Sequence, residues 1–185
     1  MDKNLDNYIK QYNTIEKDIC KEIVDELEQA DFGLHTYYDN QASKYISSDK
    51  ELFVSYAVTK HHDLLMKKVW DAIQQYYLDV RFSWFTSWAG YSNIRYNKYP
   101  VGSQMNIHCD HIHTLFPGER KGVPILSIVG CLNEEFLGGR FIMFDNEEIY
   151  LNVGDILIFP SNFLYPHKVT EVTDGTRYSF VSWTW

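Results

Sequence analysis

A chain of 185 residues with 45% hydrophobic and 16% aromatic residues is long enough for one domain with a sizeable core, and far from a disordered composition. Its net charge of −8 and pI near 5.3 lack the cationic surface that phosphate backbones require, which argues against nucleic acid as a partner. No run resembles a membrane span, and the opening MDKNLDNYIK has no apolar signal-peptide core. No membrane association is therefore expected, and the expected location is the cytoplasm. Cys20, Cys109 and Cys131 are odd in number and show no CxxC spacing, so neither a disulfide framework nor a thiolate zinc site is expected.

From about Asn13 to Ala30 the apolar positions Ile15, Ile19, Ile23, Val24 and Leu27 recur at mostly three- and four-residue intervals. This predicts an amphipathic helix, with Thr14 as N-cap and Asp31-Phe32-Gly33 as its stop. Leu34 to Tyr38 is strand-like, and the polar stretch Asp39 to Lys50 reads as a surface loop. Between about Lys60 and Asp79, Leu65, Val69, Ile73 and Tyr77 form a stripe flanked by Leu64 and Trp70, predicting a second amphipathic helix.

After Val80, Gly, aromatic and β-branched residues dominate and the runs shorten. About eight strands are expected: Ser92–Tyr99, Gln104–His113, Val123–Leu132, Arg140–Asp145, Glu148–Leu151, Ile156–Phe159, Tyr165–Glu171 and Thr176–Trp183. Asp174-Gly175 is one of the turn signals between them. The pattern predicts a mainly β chain with flanking helices (α+β), a jelly-roll or cupin-like barrel with the two N-terminal helices on one outer face. One domain is expected, residues 1–90 being helical support and 91–185 the barrel core.

The chemistry-bearing stretch is Tyr99 to Asp110, YPVGSQMNIHCD. On a strand, His108 and Asp110 project from one face and offer an imidazole nitrogen and a carboxylate oxygen side by side. Two such donors are two thirds of a facial Fe(II) site. With 7 His and 14 Asp in the chain, a His-x-Asp triplet is expected about half a time by chance, and a second copy does occur at His61-His62-Asp63. That copy heads a predicted helix, where i and i+2 point roughly 200° apart and cannot readily chelate one ion. His111 and His113, by strand alternation, face away from His108 and Asp110. For the first triplet, His167 is the candidate third ligand from a strand distant in sequence. Arg177 lies ten residues after His167, beyond Asp174-Gly175, where a hairpin would return it to the metal end. Its guanidinium suits bidentate capture of a carboxylate, and Ser179 shares its strand face.

Taken in order, Tyr99-x-x-Gly102, His108-x-Asp110, Leu132-Asn133, Gly138-Gly139, Gly154-Asp155 through Phe159-Pro160, His167-x-Val169, Gly175-x-Arg177 and Trp183 resemble the Fe(II)/2-oxoglutarate-dependent dioxygenases, in their prolyl 4-hydroxylase-like branch. The resemblance covers residues 95–185. It implies a double-stranded β-helix with His108, Asp110 and His167 on Fe(II), Arg177 on the 2-oxoglutarate carboxylate with Ser179 beside it, and Tyr99 hydrogen-bonding the co-substrate. It places Trp183 near the substrate pocket. It further implies O₂ as the oxidant and stimulation by ascorbate. The retained Asp110 favours hydroxylation, since related halogenases lack that carboxylate. One position departs from the pattern: Met105 stands in the substrate pocket where prolyl hydroxylases commonly have tyrosine. The expected reaction is hydroxylation of a C–H bond of a peptidyl residue, prolyl being the family's own case. A free amino acid or other small molecule is the alternative substrate, and a non-catalytic cupin-like binding protein the alternative class. The two lid candidates are Asp39–Lys50 and Thr114–Gly122.

Overall fold

The computed structural model describes residues 4–39, 43–81, 83, 88–110 and 124–185. His111, His113, the loop Thr114–Gly122 and residues 40–42 of the polar stretch lie outside them.

The described chain is mainly β. In order it runs β1 (Lys10–Asn13), α1 (Lys17–Leu27), β2 (Gly33–Leu34), β3 (Thr36–Asp39), β4 (Lys44–Ser47), β5 (Phe53–Ser55) and α2 (His62–Val80). It continues through β6 (Arg95–Tyr99), β7 (Met105–His108), β8 (Leu126–Cys131), β9 (Phe136–Gly138), β10 (Phe141–Met143) and β11 (Glu147–Glu148). The last elements are β12 (Asp155–Pro160), β13 (His167–Val169), β14 (Val172–Gly175) and β15 (Arg177–Trp183), preceded at the N-terminus by a single 3₁₀ turn at Leu5–Tyr8. Among the described residues no helix is long and apolar enough to cross a membrane.

Seven strands form the larger sheet in the order β1-β12-β8-β15-β6-β5-β2, and four form a smaller one in the order β11-β10-β13-β7. Side chains on the larger sheet alternate between two cores, as strand geometry requires. Tyr96, Ile128, Ile156, Ile158, Tyr178 and Phe180 lie in one cluster with Cys20, Ile23 and Leu27 of α1 and Leu65, Val69, Ala72, Ile73 and Tyr76 of α2. Tyr99, Val129, Leu157, Phe159, Val181 and Trp183 lie in the other, with Phe141, Met143 and Val169 of the smaller sheet. Each fully buried aliphatic or aromatic side chain in these clusters contributes about 1.5–3 kcal/mol. The close approach inside the first cluster needs glycine at position 130, where an added Cβ would sit 1.9 Å from the Phe180 ring.

Several local expectations are corrected. The first helix starts at Lys17 with Glu16 as N-cap, because Lys10–Asn13 are claimed by pairing with Asp155–Ile158. Thr14 donates its backbone N–H to Gly154 and caps nothing. Only α1 lies near the N-terminus; α2 follows five strands, of which β1, β2 and β5 join the larger sheet. The polar stretch expected as a loop holds β4, paired with β3 from Thr36↔Ser47 to Asp39↔Lys44. The expected turn at Asp174-Gly175 belongs to β14, which pairs with β9. Arg177 therefore does not return along a hairpin: β13 lies in the smaller sheet, whereas β15 pairs with β6 and β8 in the larger one.

Candidate metal centre

His108 and His167 occupy directly opposed positions on β7 and β13, and their rings lie 4.3 Å apart between centroids. Asp110 sits past the end of β7, in a bend, so its approach to His108 comes from the chain turning inward and not from strand alternation. Its Oδ1 lies 3.4 Å from His108 Nε2 and 3.9 Å from His167 Nε2. One donor atom from each of the three residues falls within 4.8 Å of the others.

The remaining polar atoms of the triad are occupied by fixed partners. His108 Nδ1 faces the Asn106 carbonyl at 2.8 Å and His167 Nδ1 the Tyr165 carbonyl at 3.2 Å. Only an N–H can bond a carbonyl, so each ring carries its proton on Nδ1 and directs the Nε2 lone pair inward. Asp110 Oδ2 accepts from Ser127 Oγ at 2.6 Å and from the Trp183 indole N–H at 2.9 Å, which leaves Oδ1 toward the histidines. Ser127 Oγ in turn lies 2.8 Å from Ser161 Oγ. Outer contacts of this kind fix the orientation of metal-binding side chains.

The electrostatics agree with this division. Burial pushes His167 down to about 4, so it is neutral at pH 7. Burial alone would raise the Asp110 carboxyl, but attraction to His167 and His108 and the Ser127 hydrogen bond hold it well below the usual carboxylate range. His108 is raised despite its burial, because the Asp110 carboxylate and the Asn106 carbonyl favour its protonated form; a metal ion at Nε2 would take the place of that second proton. The set therefore offers two imidazole nitrogens and an ionised carboxylate, the donor combination of non-haem Fe(II) sites.

The triad opens on a pocket lined also by Arg95, Asn97, Tyr99, Met105, Phe141, Arg177, Ser179 and Trp183. Arg177 is buried, donates to Ser179 Oγ at 2.9 Å and lies over the Tyr99 ring at 5.1 Å from its centroid. Tyr99 and Arg177 are paired across β6 and β15, which accounts for the stacking. Gly139, at φ +58°, leaves room for this side chain: a Cβ there would meet Arg177 Cδ at 3.0 Å. Burial raises the Tyr99 phenol, so it remains a hydrogen-bond donor at neutral pH. Among the described residues neither Arg177 nor Arg95 forms an ion pair with a carboxylate.

Every sequence-predicted site residue thus meets in one pocket: His108, Asp110, His167, Tyr99, Arg177, Ser179, Met105 and Trp183. Trp183 is mostly buried and bonds Asp110, a contact its pattern position did not reveal. Sequence reasoning missed Ser127 and Arg95. A serine inside a buried strand carries no signal of its own, whereas Arg95 was detectable from alternation, two residues from Asn97 and four from Tyr99. The Leu132-Asn133 motif has a structural explanation: Asn133 donates to the Thr176 carbonyl and accepts from the Tyr178 N–H, tying the end of β8 to β15. Among the described residues the His61-His62-Asp63 triplet forms no such site. His61 Nε2 contacts Glu22 at 2.7 Å at the head of α2.

Residues 94–185 match the family model described as the 2OG-Fe(II) oxygenase superfamily. The chain belongs to this superfamily. Its expected cofactors, Fe(II), 2-oxoglutarate and O₂, fit the donor set above. PKHD-type hydroxylases of Delftia acidovorans and Xylella fastidiosa are similar, at 31% identity over 98 residues and 33% over 99. Those matches cover 49% and 48% of this chain but only 42% of each relative, so the chain spans less than half the length of the curated relatives it matches. The fold is shared with a Pseudomonas putida prolyl-4-hydroxylase (TM-score 0.68, 18% identity, 96% of this chain and 92% of the other). It is shared also with a viral collagen prolyl hydroxylase from Paramecium Bursaria Chlorella virus-1 (TM-score 0.67, 12% identity, 96% and 94%). A prolyl hydroxylase from Trichoplax adhaerens, solved with a peptide fragment of hypoxia inducible factor, has a TM-score of 0.67 at 15% identity over 97% of this chain and 84% of the other.

Proposed function

We propose that this chain is an Fe(II)- and 2-oxoglutarate-dependent oxygenase that hydroxylates a C–H bond of a peptidyl substrate. The observation that carries the reading is the convergence of His108, Asp110 and His167 within 4.8 Å, in the pocket that also holds a buried arginine with no carboxylate partner among the described residues. When bound, Fe(II) and 2-oxoglutarate supply the activation of O₂, one oxygen atom going to the substrate and the other to the succinate formed with CO₂.

In this reading His108 and His167 present Nε2 as metal donors, held in that tautomer by the Asn106 and Tyr165 carbonyls. Asp110 would offer Oδ1 to the metal, since its Oδ2 already accepts from Ser127 and Trp183. Arg177, steadied by Ser179 Oγ, takes the distal carboxylate of 2-oxoglutarate as a bidentate partner. Tyr99 stacks beneath the guanidinium and keeps its hydroxyl proton for the co-substrate. Phe141, Val169 and Val181 line the same pocket and exclude water, which strengthens the charge interactions inside it. Met105, also on the lining, contributes a thioether and no hydroxyl at the substrate end.

The hydroxylase relatives support hydroxylation, and the peptide fragment held in the Trichoplax structure supports a peptidyl substrate. The test is succinate release on admitting air to protein loaded with Fe(II) and 2-oxoglutarate, with proline-containing peptides screened for stimulation. Succinate dependent on iron is expected; none under any condition would contradict the oxygenase assignment.

A further inference from the structure

The pocket holds a second arginine for which the reaction above has no use. Arg95 lies on β6 on the same face as Asn97 and Tyr99, and all three line the pocket. Its guanidinium carbon sits 4.9 Å from the centroid of the Trp183 ring, the ring whose N–H bonds Asp110. Arg95 Nε donates to Asn97 Oδ1 at 3.2 Å, and the Tyr56 hydroxyl is a second polar neighbour of its charge. Both partners are neutral. The nearest carboxylate in the pocket, Asp110, has Oδ1 turned to the histidines and Oδ2 bonded by Ser127 and Trp183. Arg95 is half-buried, and a cation partly withdrawn from water without an anionic partner carries a cost that a ligand bringing a carboxylate reduces.

Arg95 also stands apart from Arg177. On paired strands Arg177 faces Tyr99 and Val181 faces Arg95, a separation of four residues or about 13 Å at the usual strand rise. The two guanidinium groups rest on different rings, Arg177 on Tyr99 and Arg95 on Trp183. Arg177 lies beyond Tyr99, and Arg95 lies over the indole on the Asp110 side of the triad.

We infer that Arg95 binds a carboxylate of the hydroxylation substrate, so that the substrate class is a free amino acid or a peptide presenting an acidic group beside the reacting carbon. This inference rests on the oxygenase reading and narrows its substrate.

The experiment uses the full chain loaded with Fe(II) and 2-oxoglutarate in the absence of O₂. It is titrated calorimetrically with free L-amino acids and with short peptides carrying a Glu or a free C-terminal carboxylate, each paired with its amide. Acids are expected to bind at least about tenfold more tightly than their amides, the preference of a charge-assisted bidentate pair. Arg95→Met removes the preference, Arg95→Lys keeps part of it, and the visible absorption of the loaded centre persists in both. Equal affinity for acids and amides, binding of none of the acids, or a preference that survives in Arg95→Met overturns the inference. So does loss of the absorption together with the preference, because Arg95 would then act by holding Trp183 and Asp110 in place. If the wild type develops no absorption at all, the oxygenase reading itself fails. The same acid-against-amide titration on the metal-free chain then decides the role of Arg95 alone, with a preference abolished by Arg95→Met sustaining it and no preference ending it.

Discussion

Two His-x-Asp triplets in this chain have opposite fates. His61-His62-Asp63 opens α2, where His61 contacts Glu22 on α1 and nothing converges on a common point. His108-Cys109-Asp110 closes β7, where the neighbouring strand sets His167 directly opposite His108 and the following bend turns Asp110 toward both. The difference lies in the supporting partners. At the His108 triplet the Asn106 and Tyr165 carbonyls, the Ser127 hydroxyl and the Trp183 indole each fix one side-chain atom, so three donors are aimed before any ion arrives. The same tripeptide becomes a candidate site only where the backbone brings a third donor and the surrounding groups orient all three.

The comparison breaks most sharply at the ligands themselves. His108→Ala is expected to abolish Fe(II) binding, whereas His61→Ala leaves it unchanged and costs only a surface contact. Metal content after anaerobic loading and gel filtration reads the difference, and similar retention in both variants would erase the distinction drawn between the triplets. Next in size is Arg177→Ala. Losing a charge-assisted bidentate contact costs about 1.5–3 kcal/mol, on the order of 10- to 100-fold in 2-oxoglutarate affinity, with iron binding retained. Equal loss of iron would remove Arg177 from its assigned carboxylate.

A smaller effect tests the supporting partners. Trp183→Phe keeps the ring and deletes the N–H that Asp110 accepts, and a drop of about 10- to 100-fold in Fe(II) affinity is expected. Ser127→Ala removes the other bond to the same oxygen and should sit at the lower end of that range, since the indole still holds it. Combining the two should cost more than either alone, measured by competition with a chromophoric chelator. Additive silence in all three variants would mean that Asp110 needs no such orientation.

How much of this was legible in the sequence follows from the range of the interactions involved. The helical stripes through Ile23 and Leu27 and through Leu65, Val69 and Ile73 depend on local periodicity, and both helices formed close to where they were expected. The donors His108, Asp110 and His167, and Arg177 beyond them, stood out because their residue types are rare in a core and their order was informative. The short strands β1, β9 and β14 were missed because three or four polar or glycine-containing residues become strands only through pairing partners distant in sequence, as Lys10 does with Ile158. Asp110 is a milder case: alternation named the right neighbour for His108, although the bend after β7 produces the contact. Ser127 and the indole of Trp183 could not be assigned from sequence, because their role consists of a hydrogen bond to one oxygen that only tertiary packing creates.

The most direct measurement is an anaerobic Fe(II) titration of the wild-type chain in the presence of 2-oxoglutarate, followed by visible absorbance. The account predicts a metal-to-ligand charge-transfer band that saturates at about one iron per chain, one triad offering one facial site, and that is absent in His108→Ala and His167→Ala. A wild type without the band, or the same band in either variant, would contradict it.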